Sequence, residues 1–216
     1  MTGEAASRGR IDKRQAILAA AFEVFANRGY AQACVQEIAD AAGVAKPTVY
    51  NHLTDKETLY RHAVEAAADL VGAECRTAVA GLRDTDRNPE PALRDSAYRL
   101  LRICNGERSH ALRSLTFAQL ASFPDLANLV QDRTSGQLAE TLADRLARLS
   151  LAGRLRPCDP VVAAEQLLAL LTGPLEVRSR LGTRKVSAAE LKSIANAAVD
   201  TFLSAYGGGT SAPEMA

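Results

Sequence analysis

Residues 35–56 read VQEIADAAGVAKPTVYNHLTDK, and this stretch decides the fold. Val35, Ile38, Ala39 and Ala42 recur at i, i+3, i+4 and i+7, which is one apolar stripe along an α-helix. Gly43 follows at once, where a helix-ending glycine belongs, and Val44 is the next apolar residue. The spacing predicts a second short helix from about Lys46, with Val49 and Leu53 one turn apart on its inner side. Two short helices joined by a tight glycine turn make a helix-turn-helix, whose second helix enters the DNA major groove. Spacing alone leaves an ordinary helical hairpin with a solvated polar face as the alternative.

The second helix can be read residue by residue. At 100° per residue, Pro47 and Asn51 point away from Val49 and Leu53, flanked by Thr48 and Tyr50. Proline fits a helix only in its first turn, so Lys46, Pro47 and Thr48 form the leading end. Thr48 and Asn51 are the types that hydrogen-bond base edges, and the Thr48 methyl suits a thymine methyl. Tyr50 and His52 can donate to phosphate oxygens. Lys56 stands at the start of the next helix, where free backbone N–H groups and the positive helix end favour a phosphate.

The surrounding sequence carries the reading further. The segments AILAAAFEVFANRGY (16–30), VQEIADAAGV (35–44), KPTVYNHL (46–53) and DKETLY (55–60) resemble the DNA-binding domain of the TetR family of transcriptional repressors. The resemblance covers about Ile11 to Leu59. It rests on an apolar first helix, a Gly-aromatic pair, a tyrosine in the recognition helix and a lysine opening the fourth helix. It implies a double-stranded DNA operator as partner, with Lys46, Pro47, Thr48, Tyr50, Asn51, His52 and Lys56 at the interface. Two departures stand out. Ala33 and Cys34 replace the usual hydroxyl residue before the second helix, and Ala45 replaces the usual serine after the Gly-Val turn. A missing hydroxyl cap costs about 1 kcal/mol of helix stability.

Composition bounds the rest. The 216 residues are 47% hydrophobic and 24% charged, with a formal net charge of +1. Whole-chain charge therefore gives no support to nucleic-acid binding, and the cations must be local: Arg8, Arg10, Lys13, Lys46 and Lys56 are the candidates. The four cysteines form no CxxC pair and no zinc-type cluster with histidine. Reduced, inert thiols are the plain expectation, with a redox-sensing cysteine as the alternative. The N-terminus is polar, and the most apolar run, residues 161–175, carries Glu165 and Gln166 and is short for a bilayer. A cytoplasmic protein without membrane contact, metal or cofactor is expected.

All remaining periodicity is helical, giving an all-α fold of about nine helices. A flexible arm (1–10) is expected before a helix-turn-helix domain (11–53), whose first helix spans about 11–28 with Leu18, Ala21, Phe22 and Phe25 buried. A helical effector-binding and dimerisation domain (54–206) and a disordered tail (207–216) follow. The fourth helix starts at Thr54 or Asp55, with Thr54-x-x-Glu57 at capping-box spacing, and runs to about Leu82 along Leu59, Ala63, Ala66 and Leu70. Residues 83–91 read as a linker. Helices at about 91–105 and 108–121 and a long one from Pro124 to Gly153 come next. The last pair, about 159–181 with a kink at Thr172-Gly173-Pro174 and 187–206, opens its second member with the capping box Ser187-x-x-Glu190.

The helix at 159–181 is apolar nearly all round and must be covered on every side. An intramolecular core is one reading of this helix and of 187–206; the resemblance implies the other, a homodimer through a four-helix bundle, with Leu168, Leu171, Ile194, Ala198 and Phe202 as its seam. It also implies a small-molecule effector among residues 91–152, where Tyr98, Cys104, His110, Phe117 and Phe123 are the pocket candidates. An apolar effector fits them better than an ionic one. A regulator without a small-molecule effector is the alternative. A helical-bundle enzyme is the remote one, since Glu107-x-x-His110 has no second Glu-x-x-His to complete a di-iron site.

Overall fold

The helices follow the apolar spacing of the chain. The computed structural model describes residues 2–82 and 88–208, with side chains for all of these except 2–11 and His52. Over them the fold is all-α: α1 (Thr2–Gln32), α2 (Val35–Ala41), α3 (Lys46–His52), α4 (Lys56–Val79), α5 (Glu90–Cys104), α6 (Glu107–Ala118), α7 (Pro124–Gln131), α8 (Gln137–Leu151), α9 (Pro160–Ser179) and α10 (Ala188–Tyr206). A π-helical segment, Asp132–Gly136, fuses α7 to α8. Ten α-helices with two of them fused make nine helical runs among the described residues.

The ends differ from expectation in places. Helix α1 begins at Thr2 rather than near Ile11, so the residues expected as an arm are helical, in keeping with their alanine and arginine content. Of the linker expected at 83–91, residues 83–87 lie outside the described part, and Asn88 Oδ1 accepts from the Glu90 N–H at 3.0 Å to start α5. Of the tail expected from Gly207, residues 209–216 lie outside it. Gly207 forms an isolated bridge with Leu155.

The chain divides into two compact units. The first holds the residues up to Leu70 together with Ala111–Arg133. Its core takes Ile17, Leu18, Ala21, Phe22 and Phe25 from α1, Ile38 and Ala39 from α2, Val49 and Leu53 from this end of the helix-turn-helix, and Leu59, Tyr60, Ala63 and Val64 from α4. Gly29, at φ 75° and ψ 163°, breaks α1 before its last turn. That positive φ costs glycine nothing, and it swings Tyr30 into an aromatic cluster. Tyr30 meets Tyr60 at 4.9 Å, Tyr60 meets Phe25 edge-on at 5.0 Å, and Phe123 meets Tyr30 at 5.5 Å. Tyr60 donates to the Leu115 carbonyl at 3.0 Å, and burial pushes its phenol up to about 12.

Helix α4 corrects two expectations. Its N-cap is Asp55, whose Oδ1 accepts from the Thr58 N–H at 2.7 Å. Thr54 does not cap; its hydroxyl donates to Asp55 Oδ2 at 3.3 Å. A carboxylate is the stronger acceptor and sits one residue closer to the free N–H groups. The buried stripe runs Leu59, Ala63, Ala67 and Val71 rather than through Ala66 and Leu70, and Leu70 is 53% exposed. Tyr60, Val64 and Ala68 are buried beside this stripe, so the core side of α4 lies one residue round from the face that the 59, 63, 66, 70 spacing picks out.

The second unit holds Val71–His110 and the residues from Thr134 on. In it α9 packs on α8 and α10, and α10 packs on α5. Arg94 of α5 bridges to Asp200 of α10 and donates to the Asn196 carbonyl at 3.2 Å. The expected capping box is present: Ser187 Oγ accepts from the Glu190 N–H at 3.3 Å, and Glu190 Oε2 accepts from the Ser187 N–H at 3.0 Å. Val186 and Leu191 are both buried beside it.

The expected dimer seam is corrected here. Leu171, Ile194, Ala198 and Phe202 are each 1–3% exposed within the single chain, where they join α9, α10 and α5. Of the five, Leu168 alone remains half-buried. The apolar circumference of α9 misled because its buried side (Ala163, Ala164, Leu167, Leu171, Leu175) already satisfies the core. Val161, Val162 and Val177 stay outside at 54%, 41% and 78%. At 20 residues α9 is long and apolar enough to match a bilayer, although the apolar run within it is shorter. Its outer side carries Glu165, Gln166, Glu176 and Arg178, which water tolerates and hydrocarbon does not. The helix continues through Pro174 to Ser179.

Candidate nucleic-acid interface

Helix α2 stops by a glycine device. Gly43 has φ 65°, its N–H donates to the Asp40 carbonyl at 3.1 Å, and the Val44 N–H donates to the Ala39 carbonyl at 3.0 Å. This is a Schellman ending, and it aims the chain into α3. Neither short helix has a side-chain cap: Cys34 before α2 and Ala45 before α3 are extended, without a capping hydrogen bond. The two departures from the family pattern are therefore real losses, offset by core burial. Val49 and Leu53 are 1% and 2% exposed, and burying each is worth about 1.5–3 kcal/mol.

With that face anchored, the rest of α3 is presented outward. Lys46, Pro47 and Asn51 are exposed, Tyr50 is 43% exposed and Thr48 is half-buried. Pro47 lies in the first turn, as its missing N–H requires. The His52 side chain lies outside the described residues, as do those of Arg8 and Arg10. The outward face holds donors, acceptors and a cation, and no carboxylate.

Lys56 is placed differently from expectation. Its Nζ donates to the Ala31 carbonyl at 2.9 Å and sits 5.1 Å from the Tyr30 ring centroid. The lysine that opens α4 thus clasps the end of α1, and an ammonium keeps two further donors for an outside acceptor. Sequence reasoning missed this clasp because it joins residues 25 apart through a turn that exists only once Gly29 bends the chain. The Gly-aromatic pair was its visible trace. The other local cations divide likewise: Lys13 is exposed, and Arg28 pairs with Glu37 at 3.0 Å.

The five expected pocket residues are shared between the two units, Phe117 and Phe123 in the first and Tyr98, Cys104 and His110 in the second. Phe123 is 7% exposed inside the aromatic cluster of the first unit, with Arg61 4.8 Å over its ring. Phe117 is 72% exposed. Both are corrections: aromatics at helical spacing served one as core and the other as surface. Tyr98, Cys104 and His110 belong to the second unit. Tyr98 is half-buried with Arg102 6.0 Å above it, and exposed His110 lies so close over Gly182 that a β-carbon there would collide with its ring.

A solvent-facing recognition helix held by a Schellman turn in a three-helix head defines a helix-turn-helix DNA-binding protein. Comparison with known proteins agrees. Residues 17–63 match the profile of the bacterial regulatory proteins of the tetR family, and residues 91–208 match that of the AefR-like transcriptional repressor C-terminal domain. The chain belongs to the TetR family of transcriptional regulators. A solved TetR-family regulator from Mesorhizobium loti superposes with a TM-score of 0.84 at 31% identity, covering 92% of this chain and 98% of that one. The flavonoid-responsive regulator FrrA superposes at 0.67 with 28% identity, covering 91% and 97%. The transcriptional activator FasR of Mycolicibacterium smegmatis is 42% identical over 79 residues, 37% of this chain, and the match spans 35% of FasR's own length.

Proposed function

We propose that this regulator is a homodimeric repressor that binds a palindromic operator and is released from it by a small apolar ligand. The observation that carries the DNA part is the exposed face of α3, with Lys46, Thr48, Tyr50 and Asn51 around a buried Val49–Leu53 spine. Thr48 and Asn51 read base edges, while Tyr50, His52 and Lys56 hold phosphates. One seven-residue helix spans few base pairs, so two copies read two half-sites. The C-terminal match to a repressor profile favours repression over the activation named for FasR. We assign no catalytic role, cofactor or membrane contact, and expect a cytoplasmic protein.

The dimer surface we propose is the outer side of α9 and α10. There Val161, Val162, Ala169 and Val177 of α9 and Ala189, Ser193 and Ala197 of α10 are exposed, and small residues let helices approach closely. We propose the second unit for the ligand, around Tyr98 and Cys104 of α5. One structural relative is named for its response to flavonoids, an aromatic class of ligand.

A footprint on the DNA upstream of the protein's own gene tests the reading. A symmetric protected site supports it, and uniform protection without a preferred site refutes it. Ligand release is tested by calorimetry with a hydrophobic aromatic library. DNA must weaken a true effector by the same factor as the effector weakens DNA, about 5–150-fold. An affinity unaltered by operator would separate sensor from reader.

A further inference from the structure

Helix α8 breaks its own apolar pattern at one position. Leu138, Leu142 and Leu149 are 7%, 1% and 2% exposed and form its buried stripe. Arg145 stands seven residues after Leu138, three after Leu142 and four before Leu149, so it rises from the same side of the helix. An apolar side chain would complete the stripe, and the sequence supplies a guanidinium. The helix has neighbours in its own unit: α9 packs along it, and Gln137 at its start accepts from Arg76 Nη1 of α4 at 2.6 Å. Arg145 is half-buried, its Nε is closed off from water, and no group accepts from that nitrogen.

Other arginines of this unit are provided for. Arg148, three residues on, pairs with Asp144 at 3.1 Å on the exposed side of α8, and Arg76, Arg94, Arg108 and Arg184 each have a protein acceptor. Arg154 shares the covered, unpartnered Nε, but it lies in the loop after α8 and off the stripe. Buried polar groups are hydrogen-bonded in the great majority of cases, so an open one marks a place for a water, an ion or a ligand. A guanidinium offers its Nε–H and one terminal N–H as a fork that matches the two oxygens of a carboxylate. We propose that Arg145 binds the carboxylate of a small organic acid whose apolar body lies along the Leu138–Leu142–Leu149 side of α8. This rests on the small-molecule reading above and gives that ligand a single anionic head on an apolar body. The carboxylate balances the guanidinium charge and fills the open Nε–H, while the leucines take the rest of the molecule.

The test uses full-length protein without DNA, so it is independent of the operator reading. Straight-chain fatty acids and arylacetic acids, such as octanoate and naphthaleneacetate, are titrated by calorimetry beside their primary amides. Acid and amide share size and shape, and at neutral pH only the acid is charged. The expected result is an acid that binds about tenfold or more tightly than its amide, a preference that Arg145→Gln cuts to about twofold or less. Arg145→Met completes the apolar stripe, so without ligand it should melt higher than the unsubstituted protein while losing the preference for acids. An arginine that only supports the fold would give a lower melting temperature. Acids and amides that bind equally would overturn the proposal and leave the small-molecule reading standing. A preference that survives Arg145→Gln would overturn it too, as would silence of every acid in the panel. The comparison of acid with amide on the unsubstituted protein holds even where a variant misfolds.

Discussion

Asn51 is the exposed amide of α3, and with Thr48 it is the group best suited to base edges. Replacing either by alanine should weaken operator binding by about 1–3 kcal/mol and random DNA by less, as read by fluorescence anisotropy. Equal weakening on both would move these side chains to the backbone. Lys56 poses a different question, because its ammonium already serves the Ala31 carbonyl and the Tyr30 ring. If it also meets a phosphate, Lys56→Ala lowers the slope of log K against log salt by about one. A slope that stays put, with a lower melting temperature, would make Lys56 purely a clasp of the head.

Among the elements, α10 owes its start to one carboxylate. The Ser187 backbone N–H, then Arg184 and the Ser187 hydroxyl, hold Glu190 down to about 2 from the usual 4.5. The folded chain therefore binds that proton more weakly than the unfolded chain. Between about 4.5 and 2 the unfolded state holds more protons, so the contribution is full above that window and fades as pH falls through it. Glu190→Gln should lower the melting temperature at neutral pH and flatten its fall across the same window. A parallel curve, merely displaced, would mean that the carboxylate's charge contributes nothing. Helices α2 and α3 manage without such caps, and their hold comes from Ile38, Ala39, Val49 and Leu53 in the core.

At the scale of the whole molecule, burial separates folding from assembly. Leu171 lies inside the chain, so Leu171→Glu places a carboxylate in the core and should unfold the protomer. Ala197→Glu and Ala169→Glu change the outer side of α10 and α9, so they should leave the helical signal in circular dichroism intact. Sedimentation should then show monomers, with operator affinity lost as the half-sites are no longer read together. Native dimers in both outer variants would place the interface elsewhere.

The sequence by itself determined the helix-turn-helix, since a 3.6-residue stripe, a glycine at the αL position and a first-turn proline are local signals. The nine helical runs and the Ser187–Glu190 box were legible for the same reason. Tertiary structure decided what lies on either side of each helix. Periodicity marks an apolar face without naming its partner, so Leu171, Ile194, Ala198 and Phe202 read equally well as seam or as core, and only packing against α5 and between α9 and α10 makes them core. The same gap hid the Lys56–Ala31 clasp, the burial of Phe123 and the exposure of Phe117. Each of these joins or separates residues far apart in the chain, where no local spacing rule reaches.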